Sequence, residues 1–401
     1  MPWFLPGVPD RRVVITALGF AQILGWGTSF YFPAVLGEPI VADTGWTLGW
    51  VVGGTSLGLL VAGLISPRVG RAINRHGGRP VLATSSVLFA TGLAIIGAAP
   101  VLPVYLLGWV VVGAAMGTGL YDAAFAALGQ LYGKEARGPI TNLTLFGGFA
   151  STVCWPLSAF LVEAVGWRGA CLVYAALHLA VALPLQLVMP QARATNSASA
   201  AGPGEAAQAP TAIRNERLIL VLIALVMMLA SGIGSIIVVH LLIFLQTRGV
   251  DFATAVALGT LFGPAQVGAR VIERIFGQHY HPIWTMVASC LLMAAGLALL
   301  LVGFPLLALV IVVYGAGYGI SWIARGTLPL AIFGPERYPV LMGRLAFPSL
   351  VVQALAPSAG ALALERWGSE PTLAGLVTLA ALNVALIAAL WLACRPHRDD
   401  A

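Results

Sequence analysis

Charge is what this 401-residue chain has least of. Asp, Glu, Lys and Arg make up 9% of it, against about 25% in an average soluble domain. So few charges cannot cover a water-facing surface, which excludes an ordinary soluble protein. Lysine is all but missing: Lys134 stands alone beside 20 arginines. Cysteine is scarce too. Cys154, Cys171, Cys290 and Cys394 lie in or at the ends of apolar runs, with no CxxC spacing. That excludes a disulfide framework or a zinc site and leaves small core hydrophobes. No nucleotide-binding P-loop, metalloprotease helix or nucleophile elbow is present, and acids are rare within the apolar runs. Neither ATP-driven work nor a membrane-embedded enzyme is expected, and the chemistry calls for no cofactor and no metal.

What the chain does have is hydrophobicity. Apolar residues reach 59% and mean hydropathy is +0.92, the composition of an integral membrane protein. A membrane span takes about 20 apolar residues. Twelve spans can be drawn: 13–37, 46–69, 80–99, 102–130, 139–163 and 168–190, then 217–246, 252–272, 283–303, 305–332, 342–364 and 371–394. The first run is too long and too interrupted by polar residues for a cleaved signal peptide, so it is taken as a span. Between the sixth and seventh spans, 191–216 includes Ala-Thr-Asn-Ser-Ala-Ser-Ala-Ala-Gly-Pro-Gly and has no apolar periodicity, as in a linker. The expected fold is an all-α membrane protein of two pseudo-symmetric six-helix bundles, 1–190 and 217–401.

The basic residues orient it. Net charge is +6 and the sequence pI about 9.4. The arginines are spread through short loops, which fits a membrane rather than nucleic acid. With the N-terminus inside, seventeen of the 21 basic residues fall in inside segments. Three (Arg168, Arg248, Arg366) fall outside, and Arg325 lies within a span. The positive-inside rule then makes both termini and the linker cytoplasmic. The halves also repeat, at an offset close to 200 residues: Pro67 to Arg71 against Pro264 to Arg270, Gly117 and Gly119 against Gly317 and Gly319, and Pro156 before Trp167 against Pro357 before Trp367. Internal repeats of this kind mark secondary transporters, whose solute site lies where the repeats meet.

Twelve spans in two halves, with a basic stretch between spans two and three, resemble the major facilitator superfamily. The family's signature there is Gly, three residues, Asp, a base, one residue, Gly and two bases. Here Gly70, Asn74, Arg75, Gly77 and Arg79 fit its frame, with Arg71 inside it; Asn74 replaces the acid and Gly78 one base. In the family that acid caps a helix of the other half and holds the outward-facing state. The resemblance therefore implies an inner gate at this stretch. An Asn keeps a hydrogen-bonding cap but loses the charge–dipole attraction. Arg270, Glu273 and Arg274 are the second-half counterpart, expected to form a charge network at the same gate. Monocarboxylate porters use an arginine in that span, so a carboxylate-binding role for Arg270 stands beside this. Gly25-Trp26-Gly27 with Tyr31 and Pro33, then Asp43-Thr44-Gly45-Trp46, resembles the monocarboxylate-porter and oxalate/formate branches. The drug-antiporter signature of span five is not matched by Cys154-Trp155-Pro156-Leu157-Ser158. The resemblance implies a monomer in the lipid bilayer of a bacterial inner membrane.

Ionisable groups inside a bilayer cost at least about 2.5 kcal/mol each, so each is a functional candidate. Asp122 in span four has two readings, a proton-coupling carboxylate or an ion pair with Arg71 or Arg75, and the pair ranks first. Arg325 in span ten shares a helix face with Tyr318 and Trp322. It either binds an anionic or flat solute by forked hydrogen bonds and stacking, or snorkels toward the cytoplasmic end. His240 in span seven is a proton relay or, the stronger reading, a packed histidine bonded to a neighbouring helix. His178 ranks below it. His279 and His281 lack a third metal ligand and read as solvated loop. Further polar cavity candidates are Gln22, Thr28, Tyr31, Asn142, Gln266, Tyr314 and Gln353. The glycine-rich faces of spans four and ten suit close helix packing.

The expected function is secondary active transport of a small solute by alternating access, driven by protons. One rival is efflux of a toxic compound, a drug or a metalloid such as arsenite, with Cys154 supplying a thiol contact. Another is a non-transporting membrane receptor or scaffold.

Overall fold

The computed structural model describes residues 10–191 and 215–394. Most of the expected linker, with Arg193, Arg214, Arg395 and Arg398, lies outside the described residues.

The fold is all-α and makes twelve membrane passes. The first is α1 (Arg11–Gly27) with α2 (Pro33–Thr44), the second α3 (Leu48–His76), the third α4 (Gly78–Ala98). The fourth is α5 (Leu102–Gly119) with α6 (Tyr121–Tyr132); the fifth is α7 (Arg137–Gly148) with the start of α8 (Ala150–Leu177). The sixth completes α8 and ends in a π turn and α9 (Leu183–Leu187). Gly166 (φ 71°, ψ 169°) is the reversal inside α8. The second half has α10 (Glu216–Gln246), α11 (Phe252–Gly259) with α12 (Phe262–Phe276), α13 (Pro282–Leu301), α14 (Leu307–Phe333), α15 (Tyr338–Trp367) and α16 (Ser369–Ala393).

The predicted spans are met to within a few residues, with two differences. The basic stretch is not a loop. α3 runs on through Gly70 to His76, and Gly77 alone (φ 85°) joins it to α4. Arginine is a good helix former, so a helix leaving the bilayer carries the charge without unwinding. The positive φ at Gly77 calls for glycine. The second difference is that four passes are broken in mid-course. Thr28 to Phe32 separates α1 from α2, and Pro33 restarts the helix from a position where its missing N–H costs nothing. Leu120, in an extended conformation, splits α5 from α6. Phe149 parts α7 from α8, and Thr260 and Leu261 part α11 from α12.

Lipid is as apolar as leucine, so helices in a bilayer associate through close packing of small residues. Gly113 lies against the Gly58 carbonyl, Gly92 against Gly108, and Gly317 against Ser289 and Met293. Between the halves, α3 lies along α15. A Cβ on Gly70 would overlap the Pro339 carbonyl, and one on Gly343 would overlap that of Ser66. Ser66 Oγ donates to the Gly343 carbonyl at 3.0 Å. Large apolar side chains such as Phe160, Ile272, Phe276 and Leu392 stay exposed on the outer surface, where a bilayer would meet them. The end of the bundle that carries Gly77 holds most of the arginines and is called the basic end below.

Candidate functional site

The four helix breaks meet at one place between the halves. Their flanking residues supply most of the wall of a central chamber: Phe30 and Tyr31 at the first break, Tyr121 at the second, Gly147, Gly148 and Ser151 at the third, Gly263 at the fourth. Trp26, Gln266, Arg270, Tyr318 and Trp322 complete it, around a cavity of about 50 Å³. Broken helices at the repeat interface are the usual setting of a transporter's solute site. Aromatic rings dominate. Trp322 meets Trp26 edge-on at 5.6 Å, Tyr121 at 5.6 Å and Tyr318 at 6.2 Å.

One cation faces this chamber. Arg270 of α12 is 3% exposed. Its Nε donates to the Gly319 carbonyl at 3.0 Å, its Nη1 to the Thr144 carbonyl at 2.7 Å, and its Nη2 to Gln266 Oε1 at 3.4 Å. All three acceptors are neutral. Among the described residues no carboxylate lies within 4.0 Å of it. A buried charge without a counter-ion is costly, and a fork with donors to spare beside an aromatic cavity is suited to a planar anion. Arg270 was expected chiefly in a charge network at the gate. Instead it sits one helical turn deeper than Arg274, which carries its guanidinium into the chamber.

Behind Trp322 lies the second buried arginine. Arg325 Nε and Nη2 donate to Asp122 Oδ1 and Oδ2, both at 2.8 Å, and Nη1 donates to Ser231 Oγ at 3.1 Å. The Arg325 side chain is 5% exposed and that of Asp122 15%. The guanidinium lies 5.4 Å from the Trp322 ring. This corrects two expectations. Asp122 does not pair with Arg71 or Arg75, which are exposed. It lies in the first turn of α6, just after the break at Leu120, which turns it across the bundle toward α14. Nor does Arg325 snorkel, because its counter-ion is within reach inside the protein. The pair joins the two halves.

The other expected gate residues divide. Gly70 forms the close contact with α15, whereas a Cβ on Gly268, its repeat counterpart, would meet nothing within 4 Å. Asn74 uses its backbone carbonyl, which accepts from Gln130 Nε2 at 3.4 Å. Arg79 is half-buried. Glu273 accepts from Thr285 Oγ1 at 2.7 Å and lies 3.6 Å from Arg137. Arg274 Nε donates to Asn142 Oδ1 at 2.8 Å, which draws Asn142 to the basic end rather than the chamber. Among the described residues, the polar links between the halves are Ser66 to Gly343, Asp122 to Arg325, Thr144 to Arg270, Asn142 to Arg274, and Arg137 to Gly277, Tyr280 and Glu273. All lie between mid-bundle and the basic end.

Of the predicted cavity residues, Tyr31, Gln266, Tyr318 and Trp322 line the chamber. Asn142 and Arg325 link the halves instead, and the others are placed inside one half. Gln22 donates to the Gly119 carbonyl at 2.6 Å and accepts from Trp26 Nε1. Thr28 Oγ1 is 2.8 Å from His178 Nε2. Cys154 Sγ packs against span one, 3.5 Å from the Ile23 carbonyl. Tyr314 is buried against Phe262. The Gln353 carbonyl accepts from Ser235. His240 Nε2 is 3.0 Å from the Pro357 carbonyl, the packed arrangement expected of it. Sequence reasoning missed Trp26, Phe30, Tyr121 and Ser151 as chamber walls and Arg137 as a link. Trp26 and Phe30 flank Thr28 and Ser29, a polar pair interrupting an apolar run, and that interruption was the available signal.

Comparison with known proteins fits this geometry. The family model described as Major Facilitator Superfamily matches residues 15–279. The chain is 27% identical over 377 residues to the "Transcription regulatory protein OpdE" of Pseudomonas aeruginosa, covering 90% of this chain and 88% of that one. It resembles the proton:xylose symporter XylE bound to 6-bromo-6-deoxy-D-glucose, with a TM-score of 0.75, 13% identity and coverage of 94% and 95%. It also resembles the human organic anion transporter MFSD10, with a TM-score of 0.74, 16% identity and coverage of 94% and 100%. With the family model spanning well over half of its length and the fold agreeing throughout, this chain belongs to the major facilitator superfamily.

Proposed function

We propose that the chain is a proton-coupled secondary transporter of small organic anions, with a preference for aromatic monocarboxylates. The observation that carries this reading is Arg270, a buried guanidinium with only neutral acceptors, facing a chamber walled by aromatic rings. A carboxylate there would receive the free fork of Arg270, and a ring beside it would stack on Tyr121 or Trp322. The halves 1–190 and 217–401 would rock about this chamber as a monomer, with the basic end toward the cytoplasm of a bacterium and the linker 191–216 on that side. The chamber is nearly collapsed, so the halves must part for a solute to enter. Asp122 would be the coupling group. Protonation would remove its charge and turn one of the two oxygens that accept from Arg325 into an O–H donor, which breaks the two-pronged pair and frees the two halves at mid-bundle.

The test is uptake of benzoate into proteoliposomes under an inward proton gradient. Gradient-driven accumulation that Arg270→Gln abolishes supports the reading. Uptake that is absent, or unchanged in that variant, overturns it. Efflux of the same class of compound uses the same site in the other direction, and inverting the gradient reports it. A metalloid would have no thiol in the chamber wall to meet, since Cys154 packs inside the first half.

A second reading is a solute-responsive membrane regulator. It is favoured by the relative called a transcription regulatory protein. Benzoate that stabilises the purified protein but is never moved across the membrane would support that reading instead.

A further inference from the structure

A second cavity is larger than the central chamber. It lies at the basic end, about 320 Å³ in volume, where α1, α7 and α12 approach one another. Three guanidinium groups line it: Arg11 and Arg137 from the first half, Arg274 from the second. Arg11 is 3.2 Å from Glu135, and Arg137 is 3.6 Å from Glu273. Arg274 meets only neutral acceptors, Asn142 Oδ1 at 2.8 Å and Gln278 Oε1 at 2.9 Å. The lining therefore carries a net positive charge, with guanidinium N–H groups left over on all three arginines. Such groups take phosphate oxygens in pairs, with charge-assisted bonds about twice as strong as neutral ones.

The placement matters as much as the charge. The walls come from both halves, so the cavity exists only while the basic end is closed. A ligand that binds one state shifts the equilibrium toward it by its preference for that state. We propose that this cavity is a state-selective site for a phosphate group, which bridges Arg11 and Arg137 to Arg274 and holds the basic end shut. It is separate from the solute site at Arg270 and does not depend on what that site carries. The phosphate has two sources, a free anion or the headgroup of an acidic lipid. The exposed Ile272, Ile275 and Phe276 on the same helix put the second within reach of the cavity.

The experiment uses the whole chain in phosphatidylcholine nanodiscs. Its unfolding temperature is followed against inorganic phosphate, with chloride holding ionic strength constant. A second set of nanodiscs contains phosphatidylglycerol and no added phosphate. A saturable rise with inorganic phosphate assigns the free anion. A rise with phosphatidylglycerol alone assigns the headgroup. In either arm Arg274→Gln is expected to weaken the effect about tenfold, and Glu273→Gln, which removes the opposing carboxylate, to strengthen it. The same ligand should slow thiol labelling of a Gln130→Cys reporter at the basic end. No rise in either arm overturns the proposal, as does a rise that Arg274→Gln and Glu273→Gln both leave unchanged. Labelling indifferent to the ligand removes the state-selective part. The Glu273→Gln arm keeps the test decisive if Arg274→Gln does not fold.

Discussion

Arg325 and Asp122, 203 residues apart in sequence, form a two-pronged ion pair at 2.8 Å across the interface between the halves. Breaking such a pair by removing one partner leaves a buried charge and costs about 3–5 kcal/mol, whereas removing both is far milder. Asp122→Asn and Arg325→Met are each expected to lower the unfolding temperature sharply. The combined variant should recover most of the loss but accumulate no solute. A double-mutant cycle read by thermal unfolding, with flux beside it, checks this. Additive losses would show that the pair carries no coupling.

Gly70 and Gly343 bring two backbones together across the halves. A valine at Gly70 has no room against Pro339. Gly70→Val should open the basic end and raise thiol labelling of Gln130→Cys several-fold. Arg75→Ala removes only an exposed side chain, and substitutions of that kind stay within about 0.5 kcal/mol. Labelling raised by Arg75→Ala and not by Gly70→Val would reverse the assignment.

Arg270 supplies geometry as well as charge. Arg270→Gln should raise the KM for an aromatic carboxylate at least about tenfold. Arg270→Lys, which keeps the charge and loses the fork, should fall in between. Equal loss in both variants would point to a structural rather than a recognition role.

His281 caps α13, its Nδ1 accepting from the Ile283 N–H at 3.2 Å. Burial, and then the nearby Arg137, hold this histidine below its usual pKa of 6.5. A depressed pKa means the folded state favours the neutral ring. The cap's contribution is therefore complete above about pH 6.5 and is lost as pH falls through the folded value. Unfolding temperature against pH should show an acid limb that His281→Asn, a cap that does not titrate, makes shallower. An unaltered limb would assign it to other groups.

The twelve passes and the two halves were legible because hydropathy reports a bilayer directly. The continuation of α3 through the arginines was not, because charge density says where a helix leaves lipid and not where it ends. Facing was the harder matter. α10, α13 and α14 are apolar all round, so periodicity gives no inward stripe, and nothing in the sequence turns Arg325 toward Asp122 rather than toward the basic end. α12 is the exception, strongly amphipathic along its length, and its polar face holds Gln266, Arg270 and Arg274. Tyr318 and Trp322 were recognised as aromatic residues at helical spacing, and Tyr31 as a polar residue of the first span. Gln22, Thr28 and Cys154 looked equivalent to them, yet their hydrogen bonds stay within one half. A single sequence does not separate these two kinds of buried polar group.

Among the described residues, every polar link between the halves lies from mid-bundle to the basic end. Opening that end would unmake them together and bring water to the largely buried Asp122, Arg325 and Arg270 at the same moment. Hydration of these three charged groups would then offset much of what the lost bonds contributed. The two end states of the cycle would be close in free energy for that reason, with wetting of one gate as the counterweight to its bonds.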